Sequence, residues 1–111
     1  MTDKRLSEVP QFIRDKRDSI VSLCRQHHVV RLELFGSAAT GRFDPDRSDL
    51  DFLVEFDMSA DVASWLDNYF DFRQALADLF GRSVDFVALR AVRNAYVRAR
   101  IESQRLPVYA A

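Results

Sequence analysis

Asp49 and Asp51 stand one residue apart in "SDLDFLVEF", where the chain passes from a polar loop into an apolar run. In a strand, residues i and i+2 project to the same side, so two carboxylates are presented together at the margin of a core. Like charges are costly there unless a cation compensates them. Asp85 is the single acid in a further apolar run, "SVDFVAL" (Ser83–Leu89), and it joins the pair if its strand lies beside theirs. Three carboxylates are the hard oxygen donors that Mg²⁺ takes, and Mg²⁺ keeps water positions that phosphate oxygens can fill. Two such ions would activate an attacking hydroxyl and neutralise a leaving pyrophosphate.

Gly36 and Ser37 supply the other half of that chemistry. A glycine at the end of a strand lets backbone N–H groups approach an anion closely, and a helical turn after it aims its positive end at the same point. The Ser37 hydroxyl adds a donor. Each feature alone has a plain reading: Gly-Ser is a turn, "SDLD" a solvated loop, Asp85 a strand-edge charge. In this order and at these structural positions they describe a site for a Mg-nucleotide.

The elements that must position these residues follow from apolar spacing. Between Ser7 and His28, Val9, Phe12, Ile13, Ile20, Leu23 and Cys24 recur at three and four and predict an amphipathic helix, with Pro10 in its first turn. "VVRLELF" (Val29–Phe35) predicts a strand that Gly36 ends, and "SAATG" one short helical turn. "LDFLVEF" (Leu50–Phe56) predicts a second strand, with Leu50, Phe52, Val54 and Phe56 on one face and Asp51 and Leu53 on the other. Trp65, Tyr69, Phe72, Leu76 and Leu79 predict a long helix, capped by Ser59 or Asp61 and stopped by Gly81. Ser83–Leu89 is a third strand. "RNAYVRARIESQRL" is a last helix with Asn94 as its cap, and "PVYAA" reads as a tail. The expected fold is α/β, a small mixed sheet flanked by helices.

Composition bounds the rest. The chain has 111 residues, enough for one domain over 1–111. Its residues are 48% hydrophobic and 30% charged, the balance of a soluble globular protein. No membrane helix and no signal peptide is visible, which predicts a cytoplasmic protein without a membrane partner. A formal charge of -1 gives no global drive toward nucleic acid. The lone cysteine, Cys24, falls on the apolar stripe and reads as a core thiol. His27 and His28 close the first helix, where a cation offsets the dipole. Arg90, Arg93, Arg98, Arg100 and Arg105 make the last helix basic, a solvated face by default and otherwise a surface for a partner or nucleotide. Trp65, Tyr69 and Phe72 read as core, or as a dimer face, rather than as a base-stacking platform.

"GSAATG" followed by "RFDPDRSDLDFLV", with "VDFV" downstream, resembles the signature of the nucleotidyltransferase superfamily that includes DNA polymerase beta. The length and the ending "RNAYVRARIESQRLPVY" resemble its minimal nucleotidyltransferase (MNT) branch, whose members act as antitoxins paired with HEPN-domain toxins. The resemblance implies the nucleotidyltransferase fold. It assigns Gly36 and Ser37 to the triphosphate, Asp49 and Asp51 to the metal-binding pair, and Asp85 to the third carboxylate, which holds metal and helps deprotonate the acceptor. Ser48 matches the residue before the pair. Two departures bear on turnover: Thr40 stands where many MNT proteins carry Arg, with Arg42 two residues on as the substitute, and the loop before Ser48 is slightly long.

The expected function is therefore transfer of AMP from ATP, with two Mg²⁺ ions, to a hydroxyl. A chain of this length leaves no room for an acceptor-holding domain, so the acceptor is expected on a partner. The resemblance implies a HEPN toxin, modified on a tyrosine. One competing reading is a binding antitoxin that neutralises the toxin by occlusion. Another is a small-molecule nucleotidyltransferase. The partner's identity, the number of AMP units, the nucleobase preference and any homo- or hetero-oligomer are left open by the sequence.

Overall fold

The computed structural model describes residues 9–41, 44, 49–57, 62–87 and 92–111. Ser48, Arg42, Arg90 and the cap candidates Ser59 and Asp61 lie outside the described residues.

The first helical segment is divided. α1 covers Gln11–Arg14 and α2 covers Arg17–Gln26, with a turn at Asp15–Lys16 between them. A single helix was the expectation. The break falls in the polar run from Arg14 to Ser19, where no apolar residue lies between the buried anchors Ile13 and Ile20 to hold the helix on the core. β1 (Val29–Phe35), the four-residue helix α3 (Ser37–Thr40), β2 (Leu50–Phe56) and the long helix α4 (Val62–Phe80) follow as predicted. Gly81 ends α4 at φ +64, left-handed backbone that suits a glycine. β3 is Val84–Val87, shorter than the run expected, whose last two residues lie outside the described ones. α5 (Ala95–Gln104) starts at Asn94, whose side chain accepts from the N–H groups of Tyr96 and Val97.

The supposed tail is a strand. β4 (Leu106–Ala110) pairs antiparallel with β1. Pro107 demotes such a segment on sequence grounds, but a proline is tolerated on an edge strand, and β4 is one: the sheet order is β3-β2-β1-β4. β1 and β2 are antiparallel, β2 and β3 parallel, which makes the sheet mixed.

One sheet face carries Leu32, Leu34, Leu50, Phe52, Val54, Phe56 and Val84. These pack with Ile13 of α1, Ile20 and Cys24 of α2, and Phe72 and Leu76 of α4, in one buried core. Trp65, Tyr69 and Phe86 extend it as a ring of aromatic contacts around Phe56 and Phe72. Burial pushes the Cys24 thiol up to about 12, as befits a core thiol. His27, the C-cap of α2, pins that helix to α4: Asn68 donates to its carbonyl at 2.6 Å, and its ring Nδ1 lies 3.0 Å from Asn68 Oδ1.

The opposite face is different. Leu53 is buried there, and Leu53 and Ile101 of α5 both lie outside the main core. Glu33, the register partner of Leu53, is buried 3.7 Å from the guanidinium of Arg105 at the end of α5. Asp51 and Asp85 project onto this second face. Among the described residues no helix is long and apolar enough to cross a membrane.

Candidate active site

Phe35 pairs with Asp51 across the β1–β2 ladder, and Asp51 pairs with Asp85 across the β2–β3 ladder. Register partners project to the same side of a sheet, so the Asp51 and Asp85 side chains stand next to each other. The Leu50 N–H donates to the Ser83 carbonyl at 3.1 Å and ties the starts of the two strands together. Asp49 immediately precedes β2 and is exposed, as is Asp85, whereas Asp51 is half-buried. Burial first, then the charges of Asp85 and Asp49, hold the Asp51 carboxyl above the usual carboxylate range. The three acids singled out by spacing are thus close enough for Asp51 to sense both others.

Gly36 follows Phe35 at φ +75 and ψ −151, a region essentially reserved for glycine. A Cβ built on Gly36 would collide with the Asp51 carboxylate oxygen and lie 3.2 Å from its Cγ. The strand end and the acid are therefore fitted to each other through the missing side chain. The Gly36 carbonyl accepts from the N–H groups of Ala39 and Thr40, at 3.1 and 3.2 Å, and this closes α3. The Thr40 hydroxyl donates to the same carbonyl at 3.1 Å. Where the resemblance looks for a cation, this chain has a hydroxyl engaged with its own turn. Ser37 is half-buried and begins the turn.

The donor set is right in kind for a hard divalent ion: three carboxylates, one of them raised in proton affinity by burial and then by its two neighbours. Among the described residues, no group of three or more His, Cys, Asp or Glu side chains is disposed to hold a metal as it stands. Uncompensated carboxylates repel, and the three must draw together to close on an ion. Beyond Asp85 an open groove of about 690 Å³ runs between the last turns of α4 and the start of β3, and its walls include Arg73, Gln74, Asp78 and Arg82. The sequence reading passed over Arg73 and Arg82. Neither lies in a motif, and only the α4–β3 turn at Gly81 brings them beside Asp85.

The sequence profile described as "Nucleotidyltransferase domain" matches residues 17–108. MJ0128 of Methanocaldococcus jannaschii, assigned as a protein adenylyltransferase, is 31% identical over 105 residues, covering 95% of this chain and 99% of that one. A solved structure described as a minimal nucleotidyltransferase is 32% identical, with a TM-score of 0.69 over 87% of this chain and 93% of that chain. The fold is also shared with a complex of a tri-AMPylated HEPN toxin and an MNT antitoxin from Shewanella oneidensis. There the TM-score is 0.58 and the identity 20%, over 89% of this chain and 73% of that one.

Proposed function

The chain belongs to the nucleotidyltransferase domain family, and from that premise we propose that it transfers AMP from Mg-ATP to a tyrosine hydroxyl of a HEPN-domain toxin, silencing it. The observation that carries this reading is the position of Asp51, between the Gly36 turn on one strand and Asp85 on the next. That arrangement sets a glycine turn suited to phosphate and two carboxylates side by side. The assignment of MJ0128 supports adenylyl transfer, and the Shewanella complex supports a HEPN partner.

Asp49, Asp51 and Asp85 would hold Mg²⁺. When bound, the ion stabilises negative charge developing on the phosphate oxygens. The Gly36 turn and the Ser37 hydroxyl bind the departing phosphates, which fixes the triphosphate relative to the carboxylates. Asp85, the exposed member of the β2–β3 pair, takes the acceptor's proton. The acceptor oxygen bonds to the α-phosphorus as the bond to pyrophosphate breaks. Positioning is most of the catalysis in such a transfer. Ser48 and Arg42 keep the nucleotide-side roles that the resemblance gives them.

The test is the intact mass of a purified HEPN-domain protein after incubation with Mg-ATP and this chain. A gain of one or more AMP units with wild type, absent with Asp49→Asn/Asp51→Asn, is the expected result. A second reading, neutralisation by occlusion with weak catalysis, is favoured by the Thr40 hydroxyl standing where a cation would serve the phosphates. If wild type adds no mass, yet wild type and the double variant silence the partner equally, occlusion replaces transfer.

A further inference from the structure

We infer that one flank of α5, made of Tyr96, Val97 and Arg100, is the nucleoside wall of the site. Arg100 meets phosphate oxygens and Tyr96 stacks on the base. The inference rests on the Mg-ATP reading and deepens it, because it assigns recognition of the nucleotide to a helix outside every motif of the site.

The fold decides which flank faces the carboxylates. β4 is antiparallel to β1 and β1 to β2, so β4 runs parallel to β2 and β3. α5 is therefore a crossover between the two edge strands, and such crossovers are right-handed almost without exception. Ile101 is buried outside the main core, and Arg105, which follows α5, reaches Glu33 on the second face, so α5 lies over that face. It runs from the far end of β3 to the start of β4, where Leu106 pairs with Leu34 near the Gly36 turn. At about 100° per residue, Val97, Arg100 and Tyr96 lie about 40°, 100° and 140° to one side of Ile101. In a right-handed crossing that side is the one toward the starts of β2 and β3, where Asp51 and Asp85 stand.

The two flanks are built differently. On the far one, Arg98 and Glu102 neutralise each other at 3.5 Å. On the near one, no acid pairs with the Arg100 guanidinium among the described residues, and only the Arg100 carbonyl is engaged, by the Ser103 hydroxyl at 2.8 Å. Tyr96 is 85% exposed and Val97 46%, which leaves a ring and an apolar patch open beside the cation. Arg100 and Tyr96 are four residues apart, about 6 Å along the helix, a spacing that suits a nucleotide's α-phosphate and its base. With the three acids engaged by the ion, the guanidinium across from them is left for phosphate, which it matches in a bidentate fork. It supplies the cation that Thr40 does not.

The probes are Mg-ATP and Mg-tripolyphosphate, which has the phosphates without the nucleoside. Calorimetry measures their binding to the full chain, and amide NMR shifts locate it. Mg-ATP should move the amides of Gly36–Thr40 and of Tyr96–Arg100. Arg100→Gln should weaken both probes about tenfold, the loss of one charge-assisted contact. Tyr96→Ala should weaken Mg-ATP about tenfold, the loss of one stacked base, and leave tripolyphosphate unchanged, while Tyr96→Phe keeps the wild-type affinity. Arg98→Gln, on the far flank, should change neither probe. All three side chains are exposed, so the variants should melt with wild type. Equal losses from Arg98→Gln and Arg100→Gln, no loss from Tyr96→Ala, or no shift in α5 overturns the wall. If wild type transfers AMP while the variants bind as wild type does, the wall alone fails. If wild type binds Mg-ATP through this flank but adds no mass to a HEPN protein, the transfer reading fails and the wall stands. Failure of both probes to bind at millimolar concentration overturns both.

Discussion

The backbone of Gly36 lies against the carboxylate of Asp51, in the space where any other residue would carry its Cβ. The contact joins the Gly36 turn to the acidic cluster without a hydrogen bond between side chains. It depends on a glycine for two reasons at once, the close approach and the φ of +75.

Gly36→Ala should therefore destabilise the fold by about 1–3 kcal/mol, the cost of forcing a side chain into this backbone region, and should displace Asp51. Urea denaturation gives the first figure and nucleotide transfer the second. Removing the carboxylate as well, in Gly36→Ala/Asp51→Ala, relieves the collision but not the backbone strain, so only part of the stability should return. Full recovery would mean that φ is not a constraint.

The raised proton affinity of Asp51 has a definite sign in stability. Folding favours its protonated form, so its contribution is fully present below the unfolded value of about 3.9. That contribution is lost as pH rises through the higher folded value. In metal-free protein, Asp51→Asn should have the higher Tm at pH 7, and the advantage should vanish toward pH 4. A wild type more stable than the variant at pH 7 under chelation would show that Asp51 is compensated from within the protein.

Divalent cation should reverse that order. An ion that binds only the folded site stabilises by mass action, about 2.7 kcal/mol at a hundred times its Kd. Millimolar Mg²⁺ or Mn²⁺ should raise the Tm of wild type and leave Asp49→Asn/Asp51→Asn unmoved. Equal shifts in the two proteins would place the ion elsewhere.

On the same sheet face, Glu33 and Arg105 make a partly buried pair that ties α5 to β1. Arg105→Ala strands a buried carboxylate and should cost roughly 1–3 kcal/mol, whereas Glu33→Gln removes the charge itself and should cost less. Chemical denaturation of the two variants decides between them, and the reverse order would mean that the pair contributes little.

The strands and acids were legible because their signals are local. Leu50–Phe56 alternates between the core and the opposite face over seven residues, and that alternation alone places Asp51 opposite Phe52, whereas in Val29–Phe35 a bulge between Val29 and Arg31 interrupts the period. The parallel pairing that sets Asp85 beside Asp51 required only that two buried strands be neighbours. What was hidden is non-local. Nothing in "PVYAA" announces that β1 has an open edge waiting for it. The gap in α1–α2 depends on where the core ends. Arg73 and Arg82 acquire a common groove only after α4 turns at Gly81. Thr40 was visible as a departure, but its hydroxyl bond to Gly36 was not.

The parallel register between Asp51 and Asp85 also bears on how the chain folds. Its two strands are joined through the whole of α4, so the pair closes a long loop, a slow kind of step in folding. In this protein closure also drives two carboxylates together. Refolding from denaturant should thus be slowest in neutral, chelated buffer, and either acid or a divalent cation should hasten it. A divalent ion that the two carboxylates held in common would thus act on the docking of β3 as well as on the finished site.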